Sequence, residues 1–305
     1  MKKTIPDLAT GDRNSRFPKQ LRRDFLKSAG ILAAGSLLMP KFAQAMGEGK
    51  INDVGIQLYT VRKEMGEDPV GTLKKLAKIG FKELESARSD KGNYYGLAPK
   101  EIKKIAADLG MNVRSGHIHV DNDWKKSIEQ ATETGQEYII SAVLPSKGQT
   151  VEHYQASADE FNKLGEECKK ANLSFGYHNH DSEFEKVNGQ ILYDILLERC
   201  DPKLVKLEMD LGWVVASGND PFAYFNKYPG RFPLWHLKDV DLVLKKSVEF
   251  GKGKVDIPGL LGNAKKAGMR YYFVEQEDYA VNPFDSMEYD FNYLKTHPVS
   301  SKISS

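Results

Sequence analysis

Ionisable side chains recur in this sequence two residues apart, at the ends of short runs rich in β-branched and aromatic residues. These pairs are Glu83 and Glu85, His117 and His119, His178 and His180, Glu208 and Asp210, His236 and Lys238, and Glu275 and Glu277. Because alternate residues of a strand face the same side, both members of a pair would project together. Imidazole, carboxylate and amine groups are the usual general acids and bases of enzymes. The pattern therefore predicts a proton-transfer site to which several strands contribute.

The runs that carry these pairs belong to an alternation of strand and helix that begins near residue 51. The eight predicted strands are 54–59, 82–86, 112–117, 138–143, 174–178, 204–210, 233–238 and 271–276. Helices are predicted between them, among them 68–79, 99–109, 151–171 and 258–267. Repeated strand–helix units imply a parallel sheet with right-handed crossovers.

The number of these units favours one closed barrel over an open, doubly wound sheet. Residues 46–305 number about 260, close to the usual size of a (β/α)8 TIM barrel. The first predicted strand leads into Gln57 and Tyr59, where a dinucleotide-binding fold would have Gly-x-Gly-x-x-Gly. Barrel enzymes carry their catalytic groups at the carboxyl ends of the strands. We therefore expect the paired residues to converge on one mouth of a TIM barrel.

The first 45 residues have the layout of an export signal. Arg22 and Arg23 precede a weakly apolar run over 28–39, and Ala43 and Ala45 provide small residues for cleavage. A pair of arginines before such a run is typical of twin-arginine signals. A membrane-anchoring helix would need about 20 apolar residues, and this run is shorter. We predict a signal peptide over 1–45, a barrel domain over 46–305, and a periplasmic or otherwise exported protein.

Charge and cysteine content limit the partners of the chain. The net charge is +2, but residues 46–305 carry 35 basic and 39 acidic residues. A mildly acidic body argues against nucleic acid, which requires a basic surface, and nothing predicts stable membrane insertion after processing. For Cys168 and Cys200, two partly buried thiols are favoured over a disulfide. The oligomeric state stays open, with a homo-oligomer as one alternative.

Six longer stretches follow one another in the order found in a known enzyme group. They are GIQLYTVR (55–62), GNYYGLAPKEIKKIAADLGM (92–111), GYHNHDSEFE (176–185), KLEMDLGWV (206–214), HLKDVD (236–241) and GKGKVDIPGLL (251–261). In these stretches the chain resembles the sugar phosphate isomerase/epimerase group of xylose isomerase-like TIM barrels. The most specific are the Tyr-His-Asn-His-Asp and His-x-Lys-Asp runs. The resemblance implies a barrel enzyme that acts on a small carbohydrate.

The resemblance also implies one divalent metal ion, held by one ligand from each of strands five to eight. Carried over by position, these ligands are His178, Asp210, His236 and Glu275. Two imidazoles and two carboxylates suit Mn²⁺, Zn²⁺, Co²⁺ or Fe²⁺, and the sequence does not separate these from Mg²⁺. Isomerases and epimerases of the group usually have glutamate in strand five, where it shares proton transfer with the strand-eight glutamate. This chain has His178 there.

The resemblance also indicates the base, and position at the strand ends indicates the substrate contacts. Proton abstraction falls to Glu275, assisted by His178, His180 or Lys238. Substrate contacts are predicted for Gln57, Tyr59, Glu85, His117, His180 and Trp213. For Glu85 the alternative is a supporting role behind the ligands, and for His180 it is a hydrogen bond to a neighbouring strand end.

Three functions stay open at this point. The leading hypothesis is a metal-dependent sugar isomerase or epimerase, which removes a proton beside a carbonyl to give an enediolate. The absence of the strand-five glutamate favours a lyase or hydratase that cleaves 3-keto-glycosides by β-elimination, and export also favours it. A non-catalytic sugar-binding barrel is the third, although retention of all four ligand types counts against it.

Overall fold

Eight parallel strands form a closed barrel in the computed structural model, which describes residues 53–145, 148–279 and 282–299. The strands are β1 Gly55–Gln57, β2 Glu83–Ala87, β3 Asn112–Ile118, β4 Tyr138–Ser141, β5 Ser174–His178, β6 Val205–Asp210, β7 Leu234–Leu237 and β8 Tyr271–Val274. Each strand pairs with the next along the chain, and β1 pairs with β8 to close the barrel. The predicted (β/α)8 fold is thereby confirmed, whereas the signal predicted over 1–45 lies outside the described residues.

Eleven α-helices accompany the strands in the described part of the chain. They are α1 Arg62–Glu67, α2 Pro69–Ile79, α3 Pro99–Asp108, α4 Trp124–Thr134, α5 Val151–Lys170, α6 Leu192–Arg199, α7 Leu211–Ala216, α8 Pro221–Lys227, α9 Ile257–Gly262, α10 Ala264–Ala267 and α11 Pro283–Thr296. Side-chain caps fix where two of these helices begin. The Asp68 side chain accepts a hydrogen bond from the Gly71 amide at the start of α2, and the Thr150 side chain accepts one from the His153 amide at the start of α5. None of the described helices is both long enough and apolar enough to cross a membrane.

Because successive side chains of a strand point to opposite faces of the sheet, the apolar side chains of the barrel form two separate layers. Side chains such as Tyr272 and Val274 of β8 join the main core between strands and helices. A smaller cluster fills the barrel interior: Tyr138, Ile140, Leu234, Tyr271 and Phe273. Gly176 makes room for it, because a Cβ there would lie 2.5 Å from Cδ1 of Ile140. This apolar layer lies below the cluster of ionisable side chains at the carboxyl ends of the strands.

Three details differ from, or complete, the sequence predictions. Strand β1 ends at Gln57, whose side chain accepts a hydrogen bond from the Tyr59 amide and begins a 3-10 helix over Leu58–Val61. The predicted helix 258–267 is divided into α9 and α10 at Asn263, whose amide group donates to the Gly259 carbonyl. Cys168 and Cys200 are both buried free thiols.

Candidate active site

Four ionisable side chains from consecutive strands meet in a buried cluster at the carboxyl end of the barrel. His178 ends β5 and Asp210 ends β6, His236 lies in β7, and Glu275 follows β8 directly. One donor atom from each lies within 4.8 Å of the others. The structure therefore brings together the four residues that the sequence predicted as metal ligands.

The chemistry of this cluster fits a divalent metal ion. All four side chains are more than nine-tenths buried, and Nδ1 of His178 has no hydrogen-bond partner. Burial lowers the pKa of His178 well below its ordinary value, and the neighbouring His236 and His117 lower it further. A neutral imidazole offers a lone pair, which is what a metal requires. Two imidazoles and two carboxylates suit several transition metals without selecting one.

Lys238 brings an ammonium group to the edge of the cluster. Its Nζ lies 3.0 Å from Oδ2 of Asp210 and 3.0 Å from Oε2 of Glu275. A third carboxylate, Glu277, lies 2.6 Å away. Burial opposes the charge of Lys238, but the three carboxylates outweigh it and raise its pKa above the ordinary value. Gly212 leaves space for this side chain, because a Cβ there would lie 2.8 Å from Cβ of Lys238.

A buried carboxylate supports His236 from the side opposite Glu275. Nδ1 of His236 lies 2.9 Å from Oε2 of Glu275, and Nε2 lies 2.6 Å from Oε2 of Glu85. Gln57 donates a 2.8 Å hydrogen bond to Glu85. Both Gln57 and Glu85 are fully buried, and neither lines the cavity of about 220 Å³ that lies over the cluster. The geometry thus favours the supporting role for Glu85, and it places Gln57 behind Glu85 instead of against a substrate.

Glu208 extends the cluster towards the barrel interior. Its Oε2 lies 2.6 Å from Nε2 of His117, 3.3 Å from Nε2 of His236 and 3.4 Å from Nδ1 of His178. Burial, followed by the nearby charge of Glu85, raises the pKa of Glu208 to about 7. His117 and Glu208 could also ligate a metal together with His178 and His236. The two possible ligand sets overlap, because both include His178 and His236.

An open cavity of about 220 Å³ lies over the cluster. Seven residues with predicted roles line it: Tyr59, His117, His178, His180, Trp213, Lys238 and Glu275. The wall contains three further polar residues, Arg88, His119 and Glu277. His119 and Glu277 belong to the pairs expected at the mouth of the barrel but had no individual role, and Arg88, which the sequence reasoning missed, could have been found because it follows β2 directly. The cavity places the predicted catalytic residues beside a space for a small molecule.

Comparisons with known proteins agree with the fold. A sequence profile of xylose isomerase-like TIM barrels matches residues 73–297. An inosose dehydratase of Clostridium tetani is 31% identical over 156 residues, which cover 45% of this chain and 52% of the relative. The chain thus spans about half the length of the curated relatives it matches.

Solved structures extend the likeness to most of the described chain. A sugar phosphate isomerase/epimerase of Parabacteroides distasonis superposes with a TM-score of 0.73 at 28% identity, over 84% of this chain and 98% of that one. The zinc-bound IolI protein has a TM-score of 0.66 over 82% and 100% of the two chains, but at 14% identity it shows the fold alone. Since the profile match covers well over half of the sequence, the chain belongs to the xylose isomerase-like TIM barrel family.

Proposed function

We propose that this protein is a metal-dependent lyase that acts on a keto sugar or an oxidised glycoside. Among the four predicted ligands, Glu275 is the one carboxylate that lines the cavity. In strand five, where isomerases and epimerases of this group usually have a second glutamate, this chain has His178. A single carboxylate among the ligands that face the cavity suits removal of one proton followed by elimination better than a proton exchange between two ligand carboxylates. This observation carries the proposal.

In the proposed reaction Glu275 accepts the proton from the carbon beside the ketone. Burial would raise the pKa of Glu275, but Lys238 and His236 outweigh it and hold the pKa well below its ordinary value, so the carboxylate is ionised. A divalent ion bound by the four ligands would stabilise negative charge on the ketone oxygen. The electron pair left by the proton forms a carbon–carbon double bond as the β carbon–oxygen bond breaks. The departing oxygen takes up the proton that Glu275 abstracted and leaves as an alcohol or water, while the Lys238 ammonium, 3.0 Å from Glu275, offsets its negative charge.

One further observation and a second proposal support elimination. The matched relatives include enzymes named inosose dehydratases, and a dehydratase eliminates water. We also propose that residues 1–45 export the protein by the twin-arginine route, to a compartment where glycosides are more abundant than sugar phosphates. Barrels of this kind often bind phosphate in the loops after β7 and β8. The only candidate for such a site in this part of the sequence is Gly251-Lys252-Gly253-Lys254, which counts against a phosphorylated substrate.

The second candidate is a sugar isomerase or epimerase. It is favoured by the neutral imidazole of His178, which lines the same cavity as Glu275 and could accept the proton and then deliver it to a second position. The likeness to a structure named sugar phosphate isomerase/epimerase also favours it. Both candidates share the first step, removal of a proton beside a carbonyl.

One experiment separates these functions. The purified protein is incubated with Mn²⁺ or Zn²⁺ in deuterated water, with either a 3-keto-glycoside or a panel of free ketoses and sugar phosphates. A lyase releases the glycosidic alcohol and leaves an unsaturated ketone, whereas an isomerase or epimerase gives a product of unchanged composition that carries solvent deuterium. A non-catalytic barrel gives neither. Preferred turnover of sugar phosphates without elimination would contradict the proposed lyase.

A further inference from the structure

A second cavity, of about 240 Å³, lies beside the one that covers the metal-ligand cluster. The two cavities share a wall formed by Trp213, Lys238 and Glu277. Nζ of Lys238 lies 4.6 Å from the centroid of the Trp213 ring, so the ammonium and the indole form one partition. A molecule that is too long for the first cavity would have to extend past these side chains to reach the second.

The lining of the second cavity differs chemically from that of the first. Its apolar surface consists of Trp213, Val215, Ala216, Val240 and Leu242. Charges of both signs surround this surface: Asp181, Asp241, Asp278, Lys245 and Lys246. Because the signs are mixed, the surroundings do not select an anion or a cation. The lining suits a neutral, apolar group, because binding such a group removes the five apolar side chains from water.

The side of the cavity that carries Leu242 is held in place by backbone hydrogen bonds. It is a hairpin in which Asp239–Asp241 pairs with Lys246–Val248. The Asp239 carboxylate accepts bonds of 2.9 Å from the amides of Gly251, Gly253 and Val255. Ser247 accepts bonds from the amides of Glu277 and Asp278, which follow β8. The second cavity is therefore built on the same framework that carries Glu275.

We infer that the second cavity binds the leaving group of the substrate, and that this group is an apolar ring attached to the sugar through oxygen. The inference rests on the proposed lyase function, because a glycoside that undergoes elimination carries its leaving group as a substituent attached to the sugar through oxygen. Together the cavities offer about 460 Å³, within the usual range of roughly 300–1,000 Å³ for small-molecule sites. The breaking carbon–oxygen bond would lie at the partition, beside Lys238.

Leu242 and Leu244 provide a matched pair for a test. Both are exposed leucines of one hairpin turn, at 43% and 65%, but only Leu242 lines the cavity. Unoxidised phenyl and methyl β-glucosides are titrated against the metal-loaded protein, so that affinity is measured without turnover. We expect phenyl glucoside to bind at least about tenfold more tightly than methyl glucoside, the usual effect of filling a hydrophobic pocket. Leu242→Ala should reduce this ratio several-fold, and Leu244→Ala should leave it unchanged.

Other outcomes would overturn the inference and leave the proposed function standing. Equal affinities in the wild-type protein, or equal effects of the two substitutions, would mean that the cavity does not recognise an apolar ring. A disaccharide that binds more tightly than phenyl glucoside would replace the apolar ring by a second sugar. Failure of the lyase proposal has a different readout, which is the absence of elimination from a 3-keto-glycoside while the phenyl preference persists.

Discussion

The imidazole of His236 and the carboxylate of Glu85 are joined across the barrel interior by a contact of 2.6 Å between Nε2 and Oε2. The contact links β7 to β2, although the residues are 151 positions apart in sequence. A carboxylate that holds a proton on Nε2 leaves Nδ1 for the metal. Nδ1 is the ring atom that faces Glu275 and Asp210, at 2.9 and 3.9 Å. Glu85 therefore lies where a carboxylate would hold the proton on Nε2, with Nδ1 facing the site.

We predict that Glu85→Gln weakens metal binding by about 10- to 100-fold, the usual effect of removing a carboxylate behind a histidine ligand. The amide keeps the size of the side chain but no longer favours a proton on Nε2. Affinity is measured by competition with a chelator of known strength. Glu83→Gln is the matched control, because Glu83 lies in the same strand but pairs with Arg114, so it should affect stability and not metal binding. Unchanged affinity in Glu85→Gln would refute the role of Glu85.

A second prediction concerns the metal content. Protein purified without chelator should contain about one equivalent of a divalent metal, and Asp210→Asn should lose most of it, because the substitution removes a charged ligand. Asparagine keeps the oxygen that accepts the Trp213 amide at the start of α7, so the fold should persist. Elemental analysis gives the metal content and circular dichroism checks the fold. The exposed Asp108→Asn in α3 serves as control. Full metal content in Asp210→Asn would remove this residue from the ligand set.

The sequence predicted the ligand cluster better than its surroundings, for a physical reason. Two-residue spacing shows which face of a strand a side chain occupies, so convergence of Asp210 and Glu275 could be expected. The same spacing does not give depth within the barrel. The sequence therefore predicts a substrate contact for Gln57, and either a substrate contact or a supporting role for Glu85, whereas both are fully buried and neither lines the cavity. The contacts of Glu85 with Gln57 and with His236 of β7 depend on the register of the closed barrel, which no local pattern contains.

The second cavity was not anticipated because it depends on a short hairpin. Asp239–Asp241 and Lys246–Val248 are each three residues long, too short for a periodicity to be recognised. The exposed leucines at 242 and 244 look alike in the sequence, and only the turn of the hairpin directs Leu242 towards Trp213. Strand ends can thus be predicted from composition, whereas loops that complete the substrate site require the folded chain.

A third prediction links pH to stability through a buried carboxyl group far from the cluster. Asp290 of α11 is fully buried, and burial raises its pKa to about 8 despite a hydrogen bond from the Phe250 amide. In the unfolded chain the pKa would be about 4, so between about pH 4 and about pH 8 the folded state holds more protons. The free energy of unfolding should therefore fall as pH rises through this window, by up to about 5 kcal/mol from this group.

Denaturant titrations at about pH 6 and about pH 9 test this prediction. Asp290→Asn keeps an oxygen that can accept from the Phe250 amide but cannot ionise. The variant should lose less stability than the wild-type protein between the two pH values. The comparison is the difference between the proteins, since other groups titrate equally in both. Identical pH dependence in the two proteins would show that Asp290 is not protonated in the folded state.

The last prediction concerns Glu275 as the base. Glu275→Gln keeps the size of the side chain and one oxygen for the metal but cannot accept a proton. Turnover should fall by at least about 100-fold, the usual contribution of a general base. Metal affinity should fall less than in Asp210→Asn, and exchange of the substrate carbon-bound hydrogen with solvent deuterium should stop. Glu277→Gln, which alters a neighbouring partner of Lys238, should slow the reaction without stopping exchange. If exchange persists at the wild-type rate in Glu275→Gln, the base is another residue of the cavity wall, and His178 and Lys238 are then the ones to substitute.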